Sequence, residues 1–200
     1  MKYAYEILGR GEAYRGFFTL AEYRVRHELF AGGSSAELHR LCLERGNAAA
    51  VLLFDPDLDA VVLIEQFRIG ALAAPRGPWL YEIVAGMIGA GETAAEVARR
   101  ETEEEAGCHV LALEHITDYL CSPGGSSEST SLYLARVDAR GAGGIHGLAH
   151  EHEDIRVHVV PRAEALAMLA DGRVNSAAAI IALQWLELNR ERLLARWHGA

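Results

Sequence analysis

From Arg99 to Gly107 the chain reads R-R-E-T-E-E-E-A-G, which crowds Glu101, Glu103, Glu104 and Glu105 into little more than one helical turn. On a helix Glu101 and Glu105 are four apart and Glu104 is three from Glu101, so these three project from adjoining parts of one face. Each like-charged pair costs an isolated helix roughly 0.2–0.5 kcal/mol. Acids near a C-terminal end are disfavoured by about 0.3–1 kcal/mol each by the helix dipole. A segment that tolerates both penalties points to a compensating cation. Mg²⁺ or Mn²⁺ suits such a place, being hard, oxygen-preferring and commonly held by carboxylates together with substrate phosphates. The competing reading is a solvated acidic helix end, partly neutralised by Arg99 and Arg100.

The start of this helix is legible. Thr93 and Glu96 form a T-x-x-E capping box, in which each side chain satisfies an orphan backbone donor. Ala94, Val97 and Ala98 supply a small apolar face, and Gly107 stands where a stop is expected. Before it, "FFTLAEYRVRHELF" alternates in part, and "NAAAVLLFDP" and "AVVLIEQFRI" flank a turn-rich D-P-D-L-D joint suited to a hairpin. "PWLYEIVAGMIGAGE" reads as one further short strand closed by glycines. After the helix, "CHVLALEHITDYLC" and "STSLYLARVDA" read as strands around the loop "SPGGSSE". "ARGAGGIHGLAHEHE" reads as a flexible loop and "DIRVHVV" as a strand. "PRAEALAMLADG" and "NSAAAIIALQWLELNRERLLARW" read as helices, the second with Ile180, Leu183, Leu186 and Leu194 at helical spacing. A mixed sheet with one helix in its middle and two at its end is an α+β or α/β arrangement.

Composition narrows the function. A net charge of −9 disfavours a general nucleic-acid or anionic-membrane surface, so an anionic substrate would need local metal ions or placed arginines. Cys42, Cys108 and Cys121, odd in number and irregular in spacing, fit reduced thiols in the cytoplasm better than a disulfide framework or zinc ribbon. The N-terminus lacks the apolar run of a signal peptide, and the apolar "SAAAIIALQWLEL" is too short to span a bilayer, so a soluble protein is expected.

The stretch "GMIGAGETAAEVARRETEEEAGC", Gly86 to Cys108, resembles the Nudix box, G-x5-E-x7-R-E-U-x-E-E-x-G-U with U bulky and aliphatic. Gly86, Glu92, Arg100, Glu101, Glu104, Glu105 and Gly107 stand at matching positions. Thr102 and Cys108 depart from the apolar preference, at positions concerned with packing. The resemblance implies a loop–helix–loop on an α/β/α sandwich that binds divalent metal and hydrolyses a nucleoside diphosphate linked to another moiety. It implies Glu101, Glu105 and the carbonyl of Ala85 as metal ligands, Glu104 as a ligand or its support, Arg100 as an orienter of the glutamates, and Glu92 as a brace for the loop.

Further stretches resemble the ADP-ribose pyrophosphatase branch: "CSPGGSSE", "IEQFRIG…PWLYEIVAGM", "EHEDIRVHVV" with the helix "NSAAAIIALQWLEL", and "YRGFFTL" with "LERGNAA". This likeness implies Mg²⁺-dependent cleavage of ADP-ribose to AMP and ribose 5-phosphate with two or three ions, or Mn²⁺ in their place. Glu151 would be the general base and Glu153 a further metal ligand. Arg40, Arg45 and Arg68 would hold phosphates and ribose, Phe17 and Phe18 would contact adenine, and Met87, Ser122, Pro123, Gly124 and Glu128 would complete the pocket. Such chemistry is mostly positioning and charge neutralisation. The branch also implies a homodimer, with residues 1–50 a strand-rich dimerisation region that shares Phe17, Phe18, Arg40 and Arg45 between chains, and residues 51–200 the hydrolase domain.

Blander readings stand beside these. Glu151 and Glu153 could solubilise a glycine-rich loop, Phe17 and Phe18 could be a half-buried strand pair, each arginine a surface charge, and Pro-Gly a common turn. His146, His150 and His152 could suggest zinc, although no other soft-metal ligands assemble with them. A broader nucleotide-sugar range, such as GDP-mannose, is the rival within the enzymes. A non-catalytic nucleotide-binding regulator is the rival outside them.

Overall fold

The computed structural model describes residues 3–148, 150 and 152–198. The chain divides into two compact units: Met1–Asn47 with Leu120–Ser129, and Ala48–Tyr119 with Thr130–Ala200.

The first unit is an antiparallel sheet of β1 (Tyr5–Arg15), β2 (Thr19–His27) and β3 (Leu38–Glu44), in that order. Partial alternation in the sequence points to β2. In β1 the register against β2 shifts between Ile7 and Gly9 and again between Glu12 and Tyr14, and such irregularities interrupt the period-2 pattern by which a strand is recognised. The turn around Pro123 is stitched to β3. Leu43 N–H donates to the Gly125 carbonyl at 2.8 Å, and Ser127 N–H to the Leu43 carbonyl at 3.1 Å.

The second unit is a three-layer α/β/α sandwich. Its mixed sheet runs β10 (Gly144–His146), β11 (Ile155–Pro161), β5 (Ala60–Phe67), β4 (Ala48–Asp55), β9 (Ser129–Arg136), β8 (Ala112–Leu120). β4 and β9 are parallel, while β4 with β5 and β5 with β11 are antiparallel. β4 and β5 are buried at nearly every position, as strands covered on both faces must be. Val51, Leu53, Val62 and Ile64 face the helix α1 (Ala94–Ala106), meeting Val97, Ala98 and Ala106. Leu52, Phe54, Val61 and Leu63 face α2 (Arg162–Ala170) and α3 (Ala177–His198). Each fully buried Leu or Val is worth about 1.5–3 kcal/mol relative to exposure.

Three details differ from the sequence reading. The segment expected as a single strand before the box is two, β6 (Trp79–Glu82) on β5 and β7 (Val84–Met87) on β4, because the chain changes neighbour at buried Ile83. The expected loop at 139–153 contains β10, which borrows its order from β11 through pairs such as Ile145 with Arg156. On α3 the buried stripe is Ala179, Ala182, Leu183, Leu186, Leu193 and Trp197. Ile180 and Leu194 flank it half-buried, since the alanines let the helix settle closer to the sheet on their own side.

Candidate metal and diphosphate site

The carboxylate helix is capped as its sequence indicates. Glu96 N–H donates to Thr93 Oγ1 at 3.3 Å, and Thr93 N–H to Glu96 Oε2 at 2.8 Å. Gly107 closes the other end at φ 62°, ψ 21°, a left-handed conformation that suits glycine. Between these ends the four glutamates have different surroundings. Glu103 points outward to His109, 3.0 Å away. Glu104 and Glu101 accept from Arg100 Nη1 at 2.9 and 2.8 Å. Glu105 falls on the packed face beside Ala106 and is only 3% exposed.

β7 forms the floor of this group. Ala85 N–H donates to Glu105 Oε2 at 3.0 Å, so the Ala85 peptide lies against that carboxylate. Gly86 lies under Glu101, where any Cβ would overlap the carboxylate. The loop before α1 is tied by Glu92, which accepts from Gly89 N–H at 2.9 Å and lies 3.4 Å from Arg100 Nε. Arg100 thus touches three of the acids at once.

Electrostatics single out Glu105. Burial, with the like charges of Glu101 and Glu153, pushes its carboxyl up to about 8, against the pull of the Ala85 N–H and the Arg68 guanidinium. Burial also raises Glu101, with Arg100 opposing and Glu104 and Glu153 adding to the rise. Three acids whose fields penalise one another, one of them sunk in the core, form a donor set that fits a hard divalent cation. Among the described residues no three His, Cys, Asp or Glu side chains enclose an ion as they stand. Protein donors hold the acids instead, Arg100 for Glu101 and Glu104, and Leu148 N–H for Glu153 Oε2 at 3.0 Å. His146 bonds the Gly143 carbonyl at 2.9 Å, and no zinc-type cluster of His and Cys occurs among the described residues. Glu151 lies outside the described residues.

Arg68, at the end of β5, donates from Nε to Glu82 Oε2 at 2.7 Å. Met87 ends β7, 38% exposed. The remaining candidates belong to the first unit. There Phe17 and Phe18 meet edge to face at 4.7 Å, and Phe17 is 92% exposed. The Arg45 guanidinium lies 5.1 Å from the Phe18 ring centroid, within cation–π range, and 3.3 Å from Glu128. The Ser122 carbonyl accepts from Gly125 and Ser126 N–H at 3.0 and 2.9 Å, shaping the turn that carries Pro123 and Gly124. Arg40 donates from Nη1 to the His39 carbonyl at 2.8 Å.

Sequence reasoning gave no role to Glu82 or Gln66 and read His146 only as a possible zinc ligand. Glu82 was signalled by an acid inside the apolar run W-L-Y-E-I-V. Gln66 continues the row Val62, Ile64 on the α1 face of β5 and is 7% exposed; its Nε2 has no partner among the described residues. His146 packs where a Cβ on Gly107 would sit, 2.7 Å from that position, bringing β10 against the end of α1; spacing alone could not have shown it.

Residues 44–183 match the NUDIX domain family model. The chain is 52% identical over 192 residues to an ADP-ribose pyrophosphatase of Escherichia coli (strain K12), covering 96% of this chain and 92% of that protein. It is 48% identical over 195 residues to an ADP-ribose pyrophosphatase of Haemophilus influenzae, covering 96% and 90%. A GDP-mannose pyrophosphatase of Cronobacter sakazakii is 36% identical over 151 residues, covering 72% and 75%. Among solved structures, an ADP compounds hydrolase superposes with a TM-score of 0.67 at 21% identity, covering 94% of this chain and 95% of that one; this last likeness is one of fold.

Proposed function

The chain belongs to the Nudix family, and on that premise we propose that it is a hydrolase that cleaves the diphosphate bond of ADP-ribose to AMP and ribose 5-phosphate. The observation that carries the chemistry is Glu105, an acid buried on the box helix, held by the Ala85 N–H and within the field of Glu101 and Glu153. The substrate is supported by the relatives at 52% and 48% identity, which are named for ADP-ribose. The GDP-mannose pyrophosphatase at 36% identity supports a broader nucleotide-sugar range less strongly.

Glu101, Glu105, Glu153 and the Ala85 carbonyl would hold Mg²⁺ or Mn²⁺, two or three ions per site. Such ions neutralise the diphosphate and lower the pKa of a bound water. Arg100 keeps Glu101 and Glu104 aligned, and Glu104 serves the site either directly or through that alignment. Glu151 would take the proton from the attacking water. Arg68 would grip the diphosphate as a planar fork. Phe17 and Phe18 would present an aromatic face to adenine, with Arg40, Arg45, Met87, Ser122, Pro123, Gly124 and Glu128 around the ribose moieties.

We further propose a homodimer built through residues 1–50, with 51–200 as the hydrolase domain. Tyr5, Ile7 and Tyr14 of β1 and Phe17 of the turn after it are 77%, 55%, 65% and 92% exposed, apolar surface that a second copy would cover. Cys42 and Cys108 are free thiols, which supports a cytoplasmic setting. Among the described residues no helix is long and apolar enough to cross a membrane.

The test is incubation with ADP-ribose and Mg²⁺ in ¹⁸O-labelled water, with products identified by mass. AMP and ribose 5-phosphate, one carrying the label, are expected. Binding of ADP-ribose with no Mg²⁺-dependent cleavage would overturn the reading in favour of a regulator, and faster cleavage of GDP-mannose would overturn the substrate.

A further inference from the structure

Arg68 is fixed at both its backbone and its side chain. Its N–H donates to the Pro78 carbonyl at 2.8 Å, closing the mouth between β5 and β6, and a short 3-10 turn (Ile69–Ala71) starts at the next residue. Its Nε donates to Glu82 Oε2 at 2.7 Å, with the Glu82 side chain 17% exposed and that of Arg68 44%. The segment from Glu82 to Ala85 therefore holds Arg68 through a side chain and Glu105 through a backbone N–H. We propose that Glu82 is the positioning residue of Arg68, occupying the Nε edge of the guanidinium so that its two terminal amino groups face the diphosphate. The inference rests on the hydrolase reading given above.

Three observations carry it. A guanidinium has five N–H donors in one rigid plane, so fixing Nε fixes where the other four point. The Arg68 backbone is pinned to Pro78 at 2.8 Å, and its Nε is held by Glu82 at 2.7 Å, so the Glu82 contact sets the direction of the side chain. An ion pair with one half-exposed partner adds only about 0.2–1 kcal/mol to stability. Glu82 therefore contributes more by orientation than by holding the fold.

The experiment is a double-mutant cycle on ADP-ribose hydrolysis with E82A, E82Q, R68A and E82A/R68A. E82A is expected to raise KM about tenfold with little change in kcat, the loss of one charge-assisted hydrogen bond's worth of orientation. E82Q, whose amide oxygen still accepts from Nε, is expected to keep most of the wild-type KM. In the R68A background E82A should add nothing. The same factor in both backgrounds overturns the proposal, as does a rise in half-saturating Mg²⁺ that persists without Arg68, which would make Glu82 a metal ligand. If E82A does not fold, E82M keeps the side-chain bulk without the acceptor and takes its place in the cycle. Absence of turnover by the unmutated protein would sink the functional reading alone; the same cycle is then read from dissociation constants for ADP, where coupled effects support the positioning role and independent effects overturn it.

Discussion

Gly86 lies so close beneath Glu101 that a Cβ at position 86 would overlap the Glu101 carboxylate. The glycine is there for a neighbour's side chain and carries no unusual backbone angle of its own. G86A should therefore swing Glu101 off the β7 floor. Because misplacing even a supporting group commonly costs 10–100-fold in metal affinity, half-saturating Mg²⁺ should rise by about that factor. Circular dichroism should show α1 intact; unchanged Mg²⁺ dependence would contradict the placement of Glu101.

Glu105→Gln removes the ionisable group that would carry charge toward a metal and keeps the shape. Turnover with ADP-ribose should fall at least about a hundredfold, more than the loss of a supporting group would cause. Metal-free thermal stability at neutral pH should hold or rise, since an amide is neutral in both states whereas Glu105 must take up a proton to be buried. Near-normal turnover would reject Glu105 as a metal ligand.

The same burial gives the metal-free protein a pH dependence. In the folded state Glu105 keeps its proton up to about 8, whereas unfolded it ionises near 4.5. The folded state thus binds more protons in that window, and stability falls as pH rises through it. Melting in chelator should show the decline, Glu105→Gln should flatten it, and Mg²⁺ should oppose it by favouring the ionised form. A melting temperature indifferent to pH in chelator would exclude a buried, protonated Glu105.

Phe18 supports both an aromatic face and the Arg45 guanidinium. F18A should raise KM for ADP-ribose about tenfold, given roughly 1–3 kcal/mol for one base stacked on an aromatic ring. kcat should change little. Equal losses in kcat and kcat/KM would move Phe18 from base recognition to the chemical step.

Legibility in the sequence followed the range of the forces involved. The helix α1 was readable to its caps because its box, apolar face and stop are local, and β4 and β5 were readable as a hairpin from the turn-rich joint between them. β1 was obscured by its register shifts, and the break at Ile83 by an apolar run that looks continuous until β6 and β7 choose different neighbours. In the candidate site the residues of the box were legible as a spacing. The places of Glu82, Gln66 and His146 were not, since each gains its place from a partner distant in sequence or from its side of a strand. The difference between Glu105 and Glu103 was likewise invisible until the packed face of the helix was known.

Thr102 illustrates how a motif survives a change of letter. It is fully buried at a position expected to be aliphatic, and its hydroxyl donates to the Ala98 carbonyl at 2.6 Å, within its own helix. What remains facing the core is a methyl group on a branched carbon, much as valine would offer. Volume, branching and a means to silence the hydroxyl, rather than a strictly aliphatic side chain, are what this position asks of its occupant.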